Sequence, residues 1–182
     1  MPRINPVTSE NAQPAAQQTL DAIKGKLGMV PNLYATLAHS PASLNALLGF
    51  GETLGKGVLG AGVREQIAVA IAGANSCQYC ASAHTAIGQN LKLDAGELAR
   101  NLQGQATDPK VQAILTFAVA INERRGWAGD ALETARAAGL TDEEIIETLA
   151  VVSQNIFTNY ANHLFGTEVD FPVVEVREPA SA

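Results

Sequence analysis

Residues 63–91 read VREQIAVAIAGANSCQYCASAHTAIGQNL, and this stretch decides how the chain is to be read. Its first half, Val63 to about Ala74, is apolar without alternation and rich in Ala, the strongest helix former. Its second half starts a new helix near Ser76 or Cys77 and runs to about Leu91. On that helix Cys77, Cys80 and His84 fall at i, i+3 and i+7, one stripe at about 100° per residue. Cys80 and His84 are an i, i+4 pair, so thiol and imidazole can approach each other.

Outward from this pair of helices the pattern stays helical. Leu20, Ile23 and Leu27 mark a helix over Pro14–Leu27, stopped by Gly28. Pro31 opens another to about Ala38, and Ser40-Pro41 is a break with a ready N-cap. Leu44, Leu47, Leu48 and Leu54 mark the next, followed by a link, Gly55–Gly62, that holds four glycines. Asp94 caps a short helix, and Asp108-Pro109 opens the one that carries Val111, Ile114, Leu115, Ala118 and Ile121. A short helix from about Asp130 to Ala138 precedes the last long one, which Thr141 and Glu144 open as a capping box and which ends near Phe165. Apolar residues cover most sides of this last helix, which places it centrally or in an interface between subunits. The expected fold is all-α, a bundle of about eight helices in a single domain over residues 1–182. An extended arm (1–12) precedes it, and an extended tail with Pro172 and Pro179 (167–182) follows. Val173–Val176 is the one stretch with a trace of strand alternation.

Composition excludes several classes. The 182 residues are 47% hydrophobic and 16% charged, unlike a disordered chain. Twelve Lys and Arg against eighteen Asp and Glu leave a net charge of -6 and no basic patch for nucleic acid. The N-terminus lacks the apolar run of a signal peptide, and no apolar stretch approaches the roughly 20 residues of a membrane span. A cytoplasmic location follows, where a Cys pair is redox-active or metal-binding more often than structural. Low charge and high Ala point to a homo-oligomer.

The chemistry centres on the Cys pair. Cys77 sits at a helix start, where free N–H groups and the macrodipole favour a thiolate. Cys80 has His84 one turn away, a competing argument for Cys80 as the thiolate. Glu65 lies on the preceding apolar helix, so packing of the two helices brings its carboxylate to the Cys/His stripe as a proton relay; otherwise it is a surface residue beside Arg64. Two inert core thiols, or a zinc site made of Cys77, Cys80, His84 and Glu65, are the competing readings. His39 reads as a helix C-terminal cap. Asn155, Asn159, Asn162 and His163 share roughly one face of the final helix, where they line a pocket or an interface or are solvated.

With Arg64-Glu65-Gln-Ile-Ala-Val-Ala-Ile-Ala and Asn75-Ser-Cys-Gln-Tyr-Cys-Ala-Ser-Ala-His84 in hand, the chain resembles the alkylhydroperoxidase-D-like proteins of the carboxymuconolactone decarboxylase family. The core of the likeness spans about residues 45–105. Met29-Val-Pro-Asn-Leu-Tyr34 and Asn162-His163 through Asp170-Phe-Pro172 resemble the family's peroxidase-related branch. The resemblance implies an all-α fold assembled as trimers or hexamers. It implies a peroxidase that reduces hydroperoxides through a CxxC disulfide, without metal or organic cofactor, and is recycled by an external dithiol or thiol. It makes Cys80 the attacking thiol, Cys77 the resolving thiol, and His84 and Glu65 the relay. The founding peroxidases carry a histidine just before the second cysteine; here that position is Tyr79. The alternatives are a non-redox lyase or isomerase using His84 and Glu65 as acid and base, and a zinc-stabilised oligomeric binding module.

Overall fold

A computed structural model describes residues 1–8 and 11–177. Among them are nine helices and no strand: α1 (Pro14–Leu27), α2 (Asn32–Leu37), α3 (Pro41–Leu54), α4 (Ala61–Ala74), α5 (Gln78–Asn90), α6 (Ala95–Asn101), α7 (Pro109–Glu123), α8 (Gly129–Ala137) and α9 (Asp142–Phe165). The all-α expectation holds, with one helix more than about eight. Val173–Val176 forms no strand, and Pro179 lies outside the described residues.

Local chemistry sets most boundaries. Ser40, Asp94 and Asp108 each accept backbone N–H groups at the starts of α3, α6 and α7. Thr141 and Glu144 cap α9 reciprocally. Gly28 closes α1 in the left-handed region, at φ 78°.

Helix α4 is the centre of the molecule, packed against α5, α6, α7 and α9. Its residues Gln66 through Ala72 are all buried, so the helix is covered on every side. Small side chains make this possible. Gly73 packs so closely on α6 that a Cβ there would lie 2.0 Å from the Leu102 carbonyl oxygen. Helix α9 shares the centre on one face only. Ile145, Thr148, Val151, Val152, Asn155, Asn159 and Asn162 are buried, while Ile146, Leu149, Phe157, Tyr160 and Leu164 are 44–67% exposed.

The turn between α4 and α5 is short and constrained. Cys77 N–H donates to Ala72 O at 2.8 Å, and Ser76 adopts φ 53°, a region a non-glycine residue enters only when its surroundings hold it there. An asparagine cluster holds it: Asn75 Nδ2 donates to Asn122 Oδ1 (3.1 Å) and Asn159 Oδ1 (2.9 Å), and Asn122 Nδ2 returns a bond to Asn75 Oδ1 at 2.8 Å. The turn is thereby tied to α7 and α9.

The described residues before α1 and after α9 lie on this scaffold. Arg3 N–H donates to Phe165 O, and Val7 N–H to Ala35 O. His39 is no helix cap: its Nε2 pairs with Asn5 O at 2.9 Å, drawn from the end of α2 to the N-terminal arm. The C-terminal segment crosses α5. Val174 N–H donates to Ser82 Oγ (2.9 Å), Gln78 Nε2 to Glu175 Oε2 (2.9 Å), and Phe171 meets Tyr79 edge-on with ring centroids 5.8 Å apart.

Candidate active site

The antiparallel pairing of α4 and α5 brings the four candidate residues together. Glu65 Oε2 and His84 Nδ1 are 2.7 Å apart, both partly buried. Glu65 is therefore paired with the Cys/His helix rather than lying as a solvated residue beside Arg64, and its apolar helical neighbours explain why it needs a partner. Burial alone would pull the His84 pKa down; the Glu65 carboxylate and its hydrogen bond, with a smaller contribution from Cys80, carry it above its ordinary value.

The cysteines are both free and both buried, Cys77 0% and Cys80 2% exposed. Their environments differ. Cys77 is the N-cap residue of α5, packed among core residues under the C-terminal segment. Cys80 forms part of the wall of a cavity of about 500 Å³ whose lining also includes Glu65, His84, Tyr34 and Phe171. Asn162 Nδ2, from α9, donates to Cys80 Sγ at 3.2 Å, and Thr158 Oγ1 lies 4.0 Å from the same sulfur.

These surroundings separate the two thiols electrostatically. Cys80 is lowered to about 6, chiefly by its hydrogen bond with Cys77, then against desolvation by the His84 charge and by Asn162 and Thr158. Cys77 moves the other way, held protonated by that same hydrogen bond, by burial and by the charge on Cys80. The helix-start argument for a Cys77 thiolate thus has burial and the neighbouring Cys80 charge against it.

One expectation is corrected in geometry. His84 makes no hydrogen bond to Cys80; its Nδ1 is held by Glu65, and its effect on the sulfur is through charge. The direct donors are Cys77 and, from α9, Asn162. The four residues of the last helix also divide. Asn155 lines the cavity and donates to Val151 O, Asn159 belongs to the asparagine cluster, Asn162 serves Cys80, and His163 is exposed.

Two cavity residues stand in the segments that carry the resemblance but were not among the site candidates. Tyr34 lines the cavity, and burial, then the charges of Glu65 and Cys80, push its pKa up, so it is a neutral hydrogen-bond donor. Arg64 lines it near the Glu65 end. Tyr79, at the position of the founding peroxidases' histidine, is also kept neutral, mainly by burial; its hydroxyl accepts from Leu33 N–H at 3.2 Å. Among the described residues no group of three or more His, Cys, Asp or Glu is placed to hold a metal ion. No described helix is long and apolar enough to cross a membrane.

Residues 41–107 match the model of the carboxymuconolactone decarboxylase family. Among solved structures, the chain is similar to an alkylhydroperoxidase AhpD core, an uncharacterized peroxidase-related protein from Ralstonia eutropha JMP134. The identity is 26%, over 93% of this chain and 92% of that one, with a TM-score of 0.84. Two further structures share the fold. One is an uncharacterized peroxidase-related protein from Silicibacter sp. TM1040 (24% identity, 91% of each chain, TM-score 0.79). The other is the debrominase Bmp8 in complex with 2,3,4-tribromopyrrole (18% identity, 92% of this chain and 91% of that one, TM-score 0.77). No curated protein matches the sequence significantly. Through residues 41–107, with their paired α4 and α5, the chain matches the carboxymuconolactone decarboxylase family model, and over nearly its whole length it carries the AhpD-like all-α fold.

Proposed function

We propose that the protein is a cysteine-dependent peroxidase that reduces organic hydroperoxides through a Cys77/Cys80 dithiol–disulfide cycle. The observation that supports it most is the asymmetry of the pair: Cys80 is in the cavity wall with an N–H donor on its sulfur, and Cys77 lies beside it in the core. The Cys80 thiolate attacks the terminal oxygen of the hydroperoxide. An S–O bond forms, the O–O bond breaks, and the departing alkoxide takes a proton from the His84 imidazolium, leaving a sulfenic acid and an alcohol. Cys77 then attacks the Cys80 sulfur; an S–S bond forms, the S–O bond breaks, and hydroxide leaves as water with the Cys77 proton. Two equivalents of an external thiol, or one dithiol, restore the dithiol by exchange. Glu65 orients His84 throughout and favours its imidazolium form before the attack.

Thiol titration before and after one equivalent of cumene hydroperoxide tests this. The expected result is loss of both thiols and their recovery with dithiothreitol. Retention of both thiols would overturn the redox reading and favour an acid–base lyase built on His84 and Glu65.

The cycle runs in an assembly of copies. The exposed apolar face of α9 is the surface that a second copy covers.

A further inference from the structure

The cavity holds a cation that the peroxidase chemistry does not use. Arg64 is half-buried on α4, and its Nη1 donates to the Leu59 carbonyl. Leu59 is itself fixed, because Glu147 accepts Leu59 N–H and Val58 N–H at 2.9 Å each. Both Glu147 oxygens are thus engaged by the loop, and Glu65 is engaged by His84. Among the described residues Arg64 has no carboxylate within ion-pair distance; Arg3, Arg125 and Arg177 also lack one, but those three are exposed, whereas Arg100, Arg124 and Arg136 are paired. A half-buried guanidinium with spare N–H donors, in a chain of net charge -6, is the pattern of a site that waits for an anion.

Its place relative to Cys80 is given by the helix pairing. Glu65 meets His84, one turn beyond Cys80, and Gly62 packs near Leu93 beyond the end of α5. Arg64 is therefore level with the second half of α5, about 6–12 Å along the axis from Cys80 at 1.5 Å per residue. The wall also carries Leu27, Leu54, Ile87 and Val151, so an apolar body fits the same cavity.

Resting on the peroxidase reading for the chemistry, we infer that Arg64 anchors a carboxylate, and that the substrate class is an amphipathic organic acid bearing a hydroperoxide several carbons from its acid group. The guanidinium binds the acid, the apolar wall takes the chain, and the O–O bond reaches Cys80. Arg64 is a specificity residue and takes no part in bond making.

The test compares linoleic acid hydroperoxide with its methyl ester, on wild type, Arg64→Gln and Arg64→Lys. The wild type should favour the acid in kcat/KM by about 10-fold or more, the worth of a charge-assisted hydrogen bond. Arg64→Gln should raise the KM for the acid and abolish the preference, and Arg64→Lys should keep part of it. Equal rates on acid and ester in wild type, or an equal loss on both in Arg64→Gln, would overturn the inference. If no hydroperoxide is turned over, the peroxidase reading fails, and equilibrium dialysis with decanoate and methyl decanoate decides separately. Tighter binding of decanoate, lost in Arg64→Gln, supports the anchor, and no difference overturns it.

Discussion

Asn162, on α9, donates its Nδ2 to the Cys80 sulfur across the core, from 82 residues away in sequence, at 3.2 Å. Its Oδ1 is buried and has no partner among the described residues. An amide left half-satisfied in a core is costly, so its position is explained by what the other half does. A hydrogen bond to a charged group is worth about 1.5–3 kcal/mol, or about one to two pKa units. Asn162→Ala should therefore move the midpoint of Cys80 alkylation upward from about 6 by about a unit or more. An unmoved midpoint would show that Asn162 serves packing alone.

The Glu65–His84 pair makes a prediction with a definite sign. His84 is raised in the folded state above its unfolded value of about 6.5. The folded protein thus binds the extra proton between the two values, and stability falls as pH rises across that window. The contribution is fully present below about pH 6.5 and is lost as pH passes the raised folded value. Cys80, depressed in the folded state, has the opposite slope in an overlapping range, so the measurement belongs in a Cys80→Ser background. Urea unfolding across this range should show the decline, and Glu65→Gln should flatten or reverse it. In the wild-type background, His84→Gln should slow hydroperoxide consumption by roughly 10²-fold, the lower end of acid–base effects. An unchanged rate would make the imidazole structural.

What could be read in advance follows from distance along the chain. The α4–α5 hairpin was legible because Glu65, Cys77, Cys80 and His84 lie within twenty residues, and helix geometry predicts which of them share a stripe. Capping chemistry at Ser40, Asp94, Asp108 and Thr141 is equally local, and these helix starts were legible. Asn162 was visible only as a polar residue on an apolar helix. Its contact with Cys80 depends on how α9 crosses α5, which no local pattern encodes. The same holds for His84: its spacing permits contact with Cys80, but the hydrogen bond of its Nδ1 goes to a carboxylate on a neighbouring helix. Arg64 and Tyr34 have no periodicity to mark them, because a cavity wall is assembled from many elements.

The exposed side of α9 predicts assembly. Ile146, Leu149, Phe157, Tyr160 and Leu164 recur at spacings of three, four, seven and eight, and at 100° per residue they fall within about 80° of one another. A seam of this regularity on the longest helix resembles one side of a helix pair more than scattered surface apolars. Light scattering at micromolar concentration should give a multiple of 19.0 kDa. Leu149→Glu should lower the mass, since a charge opposite an apolar partner is left without water or counter-charge. A monomer mass for the wild type would refute assembly.

The order of attack can be settled with two single variants and a sulfenic-acid trap. Cys77 has the helix terminus in its favour, but a dipole effect is confined to the first turn and amounts to about 0.3–1 kcal/mol at exposed sites. Against it stand burial and the negative charge on its neighbour, which hold Cys77 protonated. Cys80 has the cavity, the Asn162 donor and the His84 charge. Access points the same way, because Cys77 lies within the core beneath the segment that ties Val174 to Ser82 and Phe171 to Tyr79. With dimedone present, Cys77→Ser should therefore accumulate the adduct at Cys80 after one equivalent of hydroperoxide, since no thiol remains to resolve the sulfenic acid. Cys80→Ser should react slowly and trap little. Adduct at Cys77 in Cys80→Ser, formed as fast as in the other variant, would reverse the assignment and require the C-terminal segment to move before peroxide arrives.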